Sequence, residues 1–241
     1  MANGVYIAMS AAVAAERQLS VTANNLANVN TTGYKQTRTA FDAYLVKTLD
    51  GAPEEKGFTA MSLTQSDLRA GALETTGNPL DAALAGPGFF VVQTPDGEQL
   101  TRAGSFRLNE QGTLVTALGH PVLTGSGAGR RAPIQIDPGG GPVTLGSRGE
   151  VAQAGTVLAS LAIVNVDPSS LTKVGDTAFR APAEAYIDVG DPIMSSGYLE
   201  RSNVNPIRGM IELIGATREY ERSAKIMSKY RSLDRRTLEI V

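Results

Sequence analysis

The 241-residue chain contains no cysteine, no tryptophan and a single histidine, His120. Without cysteine it can form no disulfide framework, no thiolate metal site and no cysteine nucleophile. One histidine also excludes a two-histidine metal site within the chain, so we expect neither a metal ion nor a cofactor. The 22 basic and 24 acidic residues nearly cancel, and no net field favours binding to nucleic acid.

The chain also lacks a segment that could anchor it in a membrane. No stretch approaches the roughly 20 apolar residues that span a bilayer, so we expect no stable membrane insertion. Ala12-Val13-Ala14 imitates the cleavage site of a secretory signal, but the first basic residue, Arg17, follows this site. A secretory signal needs basic residues before its apolar segment, and we therefore expect no cleaved signal peptide.

Residues 4–30 have the spacing of an amphipathic helix. Their apolar residues recur at steps of three and four, with alanines filling the same side. Glu16 and Arg17 are the only charged residues among the first 34. The pattern ends in a cluster of asparagine, threonine and glycine up to Gly33, which predicts the end of the helix.

The middle of the chain, residues 35–200, has the pattern of short strands between turns. Phe89 to Val92 and Val157 to Val166 are predicted strands, and Pro95-Asp96-Gly97 is a predicted turn. Turn signals recur about every 8–12 residues, a spacing typical of all-β sandwiches and barrels.

A second helix is predicted from Asn205-Pro206 to the C-terminus. Asparagine is a good helix cap, and proline at the first helical position loses no useful N–H group. Apolar residues then follow at helical spacing from Met210 through Ile214 and Tyr220 to Met227 and Tyr230, and the simplest interpretation of the Tyr220 and Met227 stripe is a buried core.

These patterns predict a mainly β protein with three parts. Residues 1–34 and 203–241 form a terminal helical domain, residues 35–79 an extended or linker segment, and residues 80–202 a central all-β domain. Because each helix has an apolar stripe that must be buried, we expect the two helices to pair as an antiparallel, coiled-coil-like unit. The outer face of the first helix has almost no charge, so we expect other subunits to cover it.

Several motifs resemble those of the bacterial flagellar rod and hook proteins. The N-terminal motif is ANNLANVNTTGYK at 23–35, and the C-terminal motif is YLERSNVN at 198–205. Between them lie GNPLD at 77–81, GPGFF at 86–90 and TRAGSF at 101–106. The resemblance therefore spans nearly the whole chain, with long motifs in the same order.

The resemblance implies a structural axial subunit rather than an enzyme. Such a subunit would leave the cell through the flagellar type III export apparatus and assemble in the periplasm, with itself and with other rod proteins, into the hollow shaft of the basal body. The short chain and its start at residues 4–9 favour a proximal-rod subunit, with a distal-rod or hook subunit as the alternative.

The candidate assembly interface lies in the two terminal regions. Asparagine is a mediocre helix former, so the asparagines near the end of the first helix favour hydrogen bonding to neighbouring subunits, with fraying and capping as the alternative. Arg218, Arg222, Lys225 and Lys229 could face anionic partners or form a solvated helix face. The complete set of candidate interface residues is Leu19, Asn24, Asn25, Leu26, Asn28, Asn203, Val204, Asn205, Met210, Ile214, Arg218, Tyr220 and Lys225.

The residues alone leave two other classes of function open. Asp188 and Asp191 could be the carboxylate pair of a carbohydrate-active enzyme, which needs both groups in one cleft at a set separation. Loop carboxylates in a turn are the simpler interpretation, and His120 is likewise interpreted as a turn residue. A β-rich binding module would instead have an exposed ligand site and no ordered self-association.

Overall fold

The computed structural model of the chain describes residues 2–47, 55–125 and 131–239. Two compact units are present. The terminal unit consists of Met1–Ala27, Gln36–Asp67 and Val204–Val241, and the β unit consists of Asn28–Lys35 and Leu68–Asn203. Parts of the predicted segments lie outside the described residues, namely residues 1, 48–54, 126–130, 240 and 241.

The terminal unit contains two helices, α1 (Ala2–Ala27) and α2 (Pro206–Glu239). The Asn205 side chain caps α2, because its Oδ1 accepts a hydrogen bond from the Arg208 N–H at 3.0 Å. This cap satisfies one of the N–H groups that lack a partner in the first helical turn. The predicted helices are confirmed, including the predicted start of α2.

The two helices pack against each other in antiparallel directions. Leu26, near the end of α1, lies beside Gly209, near the start of α2. On each helix, buried positions recur every seven residues, and their side chains are small. These positions are Ala8, Ala15 and Thr22 on α1, and Gly209, Ala216 and Ser223 on α2.

A long antiparallel strand pair completes the terminal unit. It consists of β1 (Thr37–Lys47) and β2 (Glu55–Ser66), with a bulge between Ala40 and Phe41. The buried Asn25 side chain joins α1 to β1, because its amide group donates to the Thr37 carbonyl at 2.8 Å and accepts from the Thr37 N–H at 2.9 Å.

The β unit is built from short strands. In chain order these are β3 (Leu73–Thr75), β4 (Ala82–Leu84), β5 (Phe89–Thr94), β6 (Gly97–Thr101), β7 (Phe106–Leu108), β8 (Leu114–Thr116), β9 (Val143–Leu145), β10 (Glu150–Gln153), β11 (Thr156–Ser160), β12 (Ile163–Asn165), β13 (Thr172–Lys173), β14 (Ala178–Arg180), β15 (Ile187–Asp188), β16 (Met194–Ser196) and β17 (Tyr198–Glu200). Two short 3₁₀ turns, Pro168–Ser170 and Ala183–Ala185, connect some of them.

The largest sheet of the β unit has six antiparallel strands in the order β13-β14-β6-β5-β12-β15. A three-stranded sheet, β11-β10-β9, and the pairs β16-β4, β17-β3 and β7-β8 accompany it. The predicted turn at Pro95-Asp96 joins β5 to β6. The mainly β architecture with two terminal helices is therefore confirmed.

Strand β5 explains why Phe89 to Val92 form an uninterrupted apolar run. Successive side chains of a strand point to opposite faces of the sheet. Phe89 and Val91 pack into one hydrophobic cluster, whereas Phe90 and Val92 pack into another. Both faces of β5 are thus covered, and a strand buried on both faces has no polar alternation.

The prediction of one strand from Val157 to Val166 was wrong. The segment divides into β11 and β12, which belong to different sheets. At the break, Leu161 N–H donates to the Gly149 carbonyl and Ala162 N–H to the Leu123 carbonyl. The chain therefore changes hydrogen-bonding partners between the two strands, which an apolar run in the sequence does not reveal.

Candidate assembly interface

The candidate residues on α1 divide between its buried and exposed faces. Leu19 and Leu26 are half-buried, Asn25 is buried against β1, and Asn24 is exposed. Asn25 thus uses its amide group within its own chain, and bonding to a neighbouring subunit stays a prediction for the other asparagines.

Two candidate asparagines lie in the β unit. Asn28 donates to Asp176 Oδ1 at 3.4 Å, and its own oxygen accepts from the Thr31 hydroxyl at 3.0 Å. Asn203 donates to the Arg69 carbonyl at 3.0 Å. Both side chains therefore hold segments of the β unit together.

The candidate residues at the start of α2 include a buried valine, a cap and an exposed apolar face. Val204 is buried and Asn205 is the cap described above. Met210, Ile214 and Tyr220 are exposed to 53%, 54% and 43%. The interpretation of the Tyr220 and Met227 stripe as core was therefore wrong for Tyr220, whereas Met227 is half-buried.

The physical reason is that α1 packs on the small residues of α2. Gly209, Ala216 and Ser223 allow a close approach of the helix axes, and they turn the large apolar residues outward. Two further isoleucines, Ile207 and Ile211, are exposed to 72% and 66%. The sequence signal for this arrangement is the seven-residue recurrence of small residues, which a search for large apolar residues overlooks.

Further along, the outward face of α2 becomes basic. Arg218, Arg222, Lys225 and Lys229 are all exposed. Arg222 is 3.2 Å from Glu219, and Arg208, near the helix start, is 2.9 Å from Glu212. Exposed pairs of this kind contribute little to stability.

Inside the β unit, three charged residues from three sequence motifs meet. Lys35 Nζ lies 2.6 Å from Glu200 Oε1, and Arg102 Nη1 lies 3.5 Å from Glu200 Oε2. Lys35 and Glu200 are almost completely buried. Lys35 also donates to the Arg69 carbonyl, and Glu200 accepts from the Gly71 N–H. We call Lys35, Arg102 and Glu200 the buried charge cluster.

The cluster fixes the segment 28–35 to the rest of the β unit. The Gly33 N–H donates to the Glu200 carbonyl at 2.8 Å, and Gly33 has φ of +70°. A Cβ atom at this position would lie 2.3 Å from the Ala103 nitrogen, so only glycine fits. Burial lowers the pKa of Arg102, and the nearby Glu200 carboxylate opposes that shift.

The sequence alone does not predict this cluster. Lys35 and Arg102 are each the only charged residue of their motifs, and Glu200 is one of two in its motif. A lone charge within an otherwise uncharged motif is the available signal. Its partner could not be read from the sequence, because Lys35 and Glu200 are far apart along the chain.

A third cation, Lys173, lies against the same segment and has an unusual pKa. Its Nζ donates to the Lys35 carbonyl at 3.1 Å and lies 3.9 Å from the centre of the Tyr34 ring. Burial lowers the pKa of Lys173 to about 8, and Asp176 acts in the opposite direction. Burial disfavours the charged form of a lysine.

We therefore expect Lys173 to titrate near pH 8, as measured from its side-chain ¹³C chemical shift. Below pH 8 Lys173 is charged in both the folded and unfolded states. Between pH 8 and the unfolded pKa of about 10.4, the unfolded state binds more protons, so the free energy of unfolding rises with pH. Lys173→Met should remove this contribution, and an identical pH dependence in the variant would contradict it.

In the alternative catalytic pair, each carboxylate forms an ion pair with a different arginine. Asp188 lies 2.8 Å from Arg131 and Asp191 lies 3.4 Å from Arg148, and both carboxylates are exposed. His120 follows a turn, where its main chain exchanges hydrogen bonds with Thr116. In the described part of the chain, neither helix is long and apolar enough to cross a membrane.

The chain combines a β unit with a helical terminal unit whose α2 helix exposes an apolar face, and such faces are typical of proteins that bind other proteins. Three known families match this chain. "Flagella basal body rod protein" matches residues 5–35, "Flagellar hook protein FlgE/F/G D1 domain" residues 83–153, and "Flagellar basal body rod FlgEFG protein C-terminal" residues 195–240.

Curated relatives match along almost the whole chain. Flagellar basal-body rod protein FlgF of Caulobacter vibrioides is 38% identical, covering 99% of this chain and 98% of its own. FlgF of Mesorhizobium japonicum is 36% identical over 94% and 92%. Flagellar basal-body rod protein FlgG of Agrobacterium fabrum is 34% identical over 92% and 93%. The chain belongs to the flagellar basal-body rod and hook protein family and is a structural subunit of the basal-body rod.

Proposed function

We propose that this chain is a proximal-rod subunit that polymerises through its terminal helices into the hollow shaft, without catalytic activity. The observation that carries this proposal is the exposed apolar face of α2, formed by Ile207, Ile211 and Ile214. Apolar residues this exposed and this close together are typical of interaction sites. On α1, Tyr6, Met9 and Val13 are exposed to between 43% and 56% and would extend the contact.

The pairing of α1 and α2 is proposed to have coiled-coil character. The support is the seven-residue recurrence of buried positions on both helices, since a heptad repeat is the hallmark of such pairing. The proposed functional division keeps residues 1–34 with 203–241 as the part that forms the rod core. Residues 35–79 serve as an extended connection, and residues 80–202 as the outer β domain.

The proposed route and partners follow from the family. The subunit is exported through the flagellar type III apparatus, without cleavage of a signal peptide, and assembles in the periplasm. Its partners are further copies of itself and other rod or hook proteins. The candidate interface residues retained in this proposal include Leu19, Asn24 and Leu26 on α1 and Met210 and Tyr220 on α2.

The position within the rod is proposed from the chain itself. The sequence of residues 4–9 favours the proximal rod over the distal rod or the hook. A carbohydrate-active enzyme gains no support, because Asp188 and Asp191 each face a different arginine.

We expect replacement of Ile207, Ile211 and Ile214 by serine to reduce incorporation into basal bodies at least tenfold. Burying an isoleucine contributes about 1.5–3 kcal/mol, and tenfold corresponds to only 1.4 kcal/mol. The measurement is the amount of the chain in basal bodies purified from a strain in which the variant is its only source.

A matched control replaces three exposed apolar residues of the β unit, Leu118, Ile187 and Ile193, by serine. These are exposed to between 65% and 75%, and the control should leave incorporation within about twofold of the unmodified chain. Normal incorporation of the α2 variant, or an equal loss in the control, would contradict assembly through this face.

A further inference from the structure

Two basic residues on the outward face of α2 have no carboxylate partner among the described residues. Arg218 and Lys225 are both exposed, and Lys225 forms no ion pair with Glu221 despite the favourable spacing of four residues. Seven residues separate them, so they lie on one side of the helix about 10 Å apart along its axis. We call Arg218 and Lys225 the basic pair.

Two acidic residues on another side of α2 have the same spacing. Glu212 and Glu219 border a groove between α1 and α2, and the groove is lined by Ala14, Ala15 and Ala216. Their ion pairs with Arg208 and Arg222 lie within α2 itself and are exposed. Exposed ion pairs contribute little free energy, so contacts with another chain can replace them at little cost in stability. We call Glu212 and Glu219 the acidic pair.

We propose that α2 of a second copy of this chain lies along this groove, with its basic pair against the acidic pair of the first copy. The equal seven-residue spacing brings both charge pairs together at once when the two α2 helices run parallel. The second helix is then displaced by six residues, or about 9 Å along the axis. The alanines that line the groove allow the second helix to approach closely.

The occupant is inferred to be a second copy because both complementary patterns are present on one chain. This inference rests on the proposed function and specifies its contact. The basic pair and the acidic pair occupy different sides of the same unit, so the contact is heterologous. Such contacts do not saturate in a two-fold dimer and generate open helical assemblies when the rotation does not close. Charge complementarity across an interface also sets register and orientation.

The test uses full-length chains with reversed charges, each as the only source of this protein in the flagellated bacterium. Variant A carries Glu212→Lys and Glu219→Lys, and variant B carries Arg218→Glu and Lys225→Glu. We expect either variant alone to be at least tenfold depleted from purified basal bodies, at equal levels of exported chain. In each variant, positions 212 and 219 carry charges of the same sign as positions 218 and 225, and charges of the same sign that face each other destabilise an interface.

Coexpression of A with B should restore incorporation to at least half of the unmodified level, because every A–B contact pairs opposite charges. A single chain carrying all four substitutions should also assemble by itself. The matched control for A is Glu110→Lys with Glu184→Lys, which makes the same charge change at two exposed positions of the β unit. This control should incorporate normally.

Several outcomes would overturn the proposed contact. Normal incorporation of A or B shows that these pairs do not hold copies together. Depletion that neither coexpression nor the four-fold variant rescues shows that the positions act in another way or bind a different protein. In both cases the unmodified chain is still incorporated and the proposed function stands. Absence of the unmodified chain from basal bodies would instead contradict the proposed function itself.

Discussion

Replacing Glu200 by glutamine is expected to destabilise the β unit by about 3–5 kcal/mol, the usual cost of breaking a buried ion pair from one side. The substitution removes the carboxylate that faces both Lys35 and Arg102. Two cations would then stay buried without a counter-charge. Glutamine keeps the size of the side chain, so the decrease in the free energy of unfolding results from the lost charge rather than from a cavity.

The measurement is urea unfolding of the full-length chain, followed by circular dichroism and tyrosine fluorescence. The matched control is Glu74→Gln, which removes the carboxylate of an exposed pair with Arg201 at 3.5 Å. That change should cost less than about 1 kcal/mol. Lys35→Met should cost less than Glu200→Gln, because Glu200 keeps Arg102 nearby. Equal stability of the Glu200 and Glu74 variants would contradict the role of the cluster.

Deleting α1, residues 2–27, is expected to abolish incorporation into basal bodies while the β unit stays folded. Without α1, the small residues Gly209, Ala216 and Ser223 lose their packing partner. An isolated helix is marginal in water, so α2 should lose order. The deletion stops at Ala27 because Tyr34 and Lys35 are buried in the β unit.

Hydrogen exchange and thermal unfolding of the truncated chain separate the two effects. Slowly exchanging amides in β5 and β6, with a Tm within about 2 °C of the full chain, would show that the β unit is intact. Fast exchange is expected throughout α2. Retention of the truncated chain in basal bodies would refute a role for α1 in assembly. Absence of a cooperative thermal unfolding transition of the β unit would refute the expectation that this unit folds without α1.

Local features of the sequence determined much of this structure. Asn205-Pro206 set the start of α2, since a capping side chain and a missing N–H act within one helical turn. The run from Phe89 to Val92 predicted a strand, and Pro95-Asp96 predicted the turn after it. The motifs at the two ends and in the middle of the chain were sufficient to indicate the family, because long motifs in a fixed order are specific.

Features that depend on contacts between distant residues were decided by the tertiary structure. The side chains of Lys35 and Glu200 pair because the fold brings together segments 165 residues apart. The break between β11 and β12 depends on the Gly149 and Leu123 carbonyls.

The orientation of α2 is the most consequential of these decisions. Spacing alone predicts that a helix has an apolar stripe, but not which side another helix covers. Close packing of α1 on Gly209 and Ala216 buries the small residues and leaves Ile207, Ile211 and Ile214 exposed. The sequence by itself therefore determined the two helices, the strand-rich middle and the family. Only the tertiary structure decided which face of α2 stays exposed for assembly. The reason is that α1 can approach closely only the face of α2 that carries small residues, so the opposite face remains uncovered.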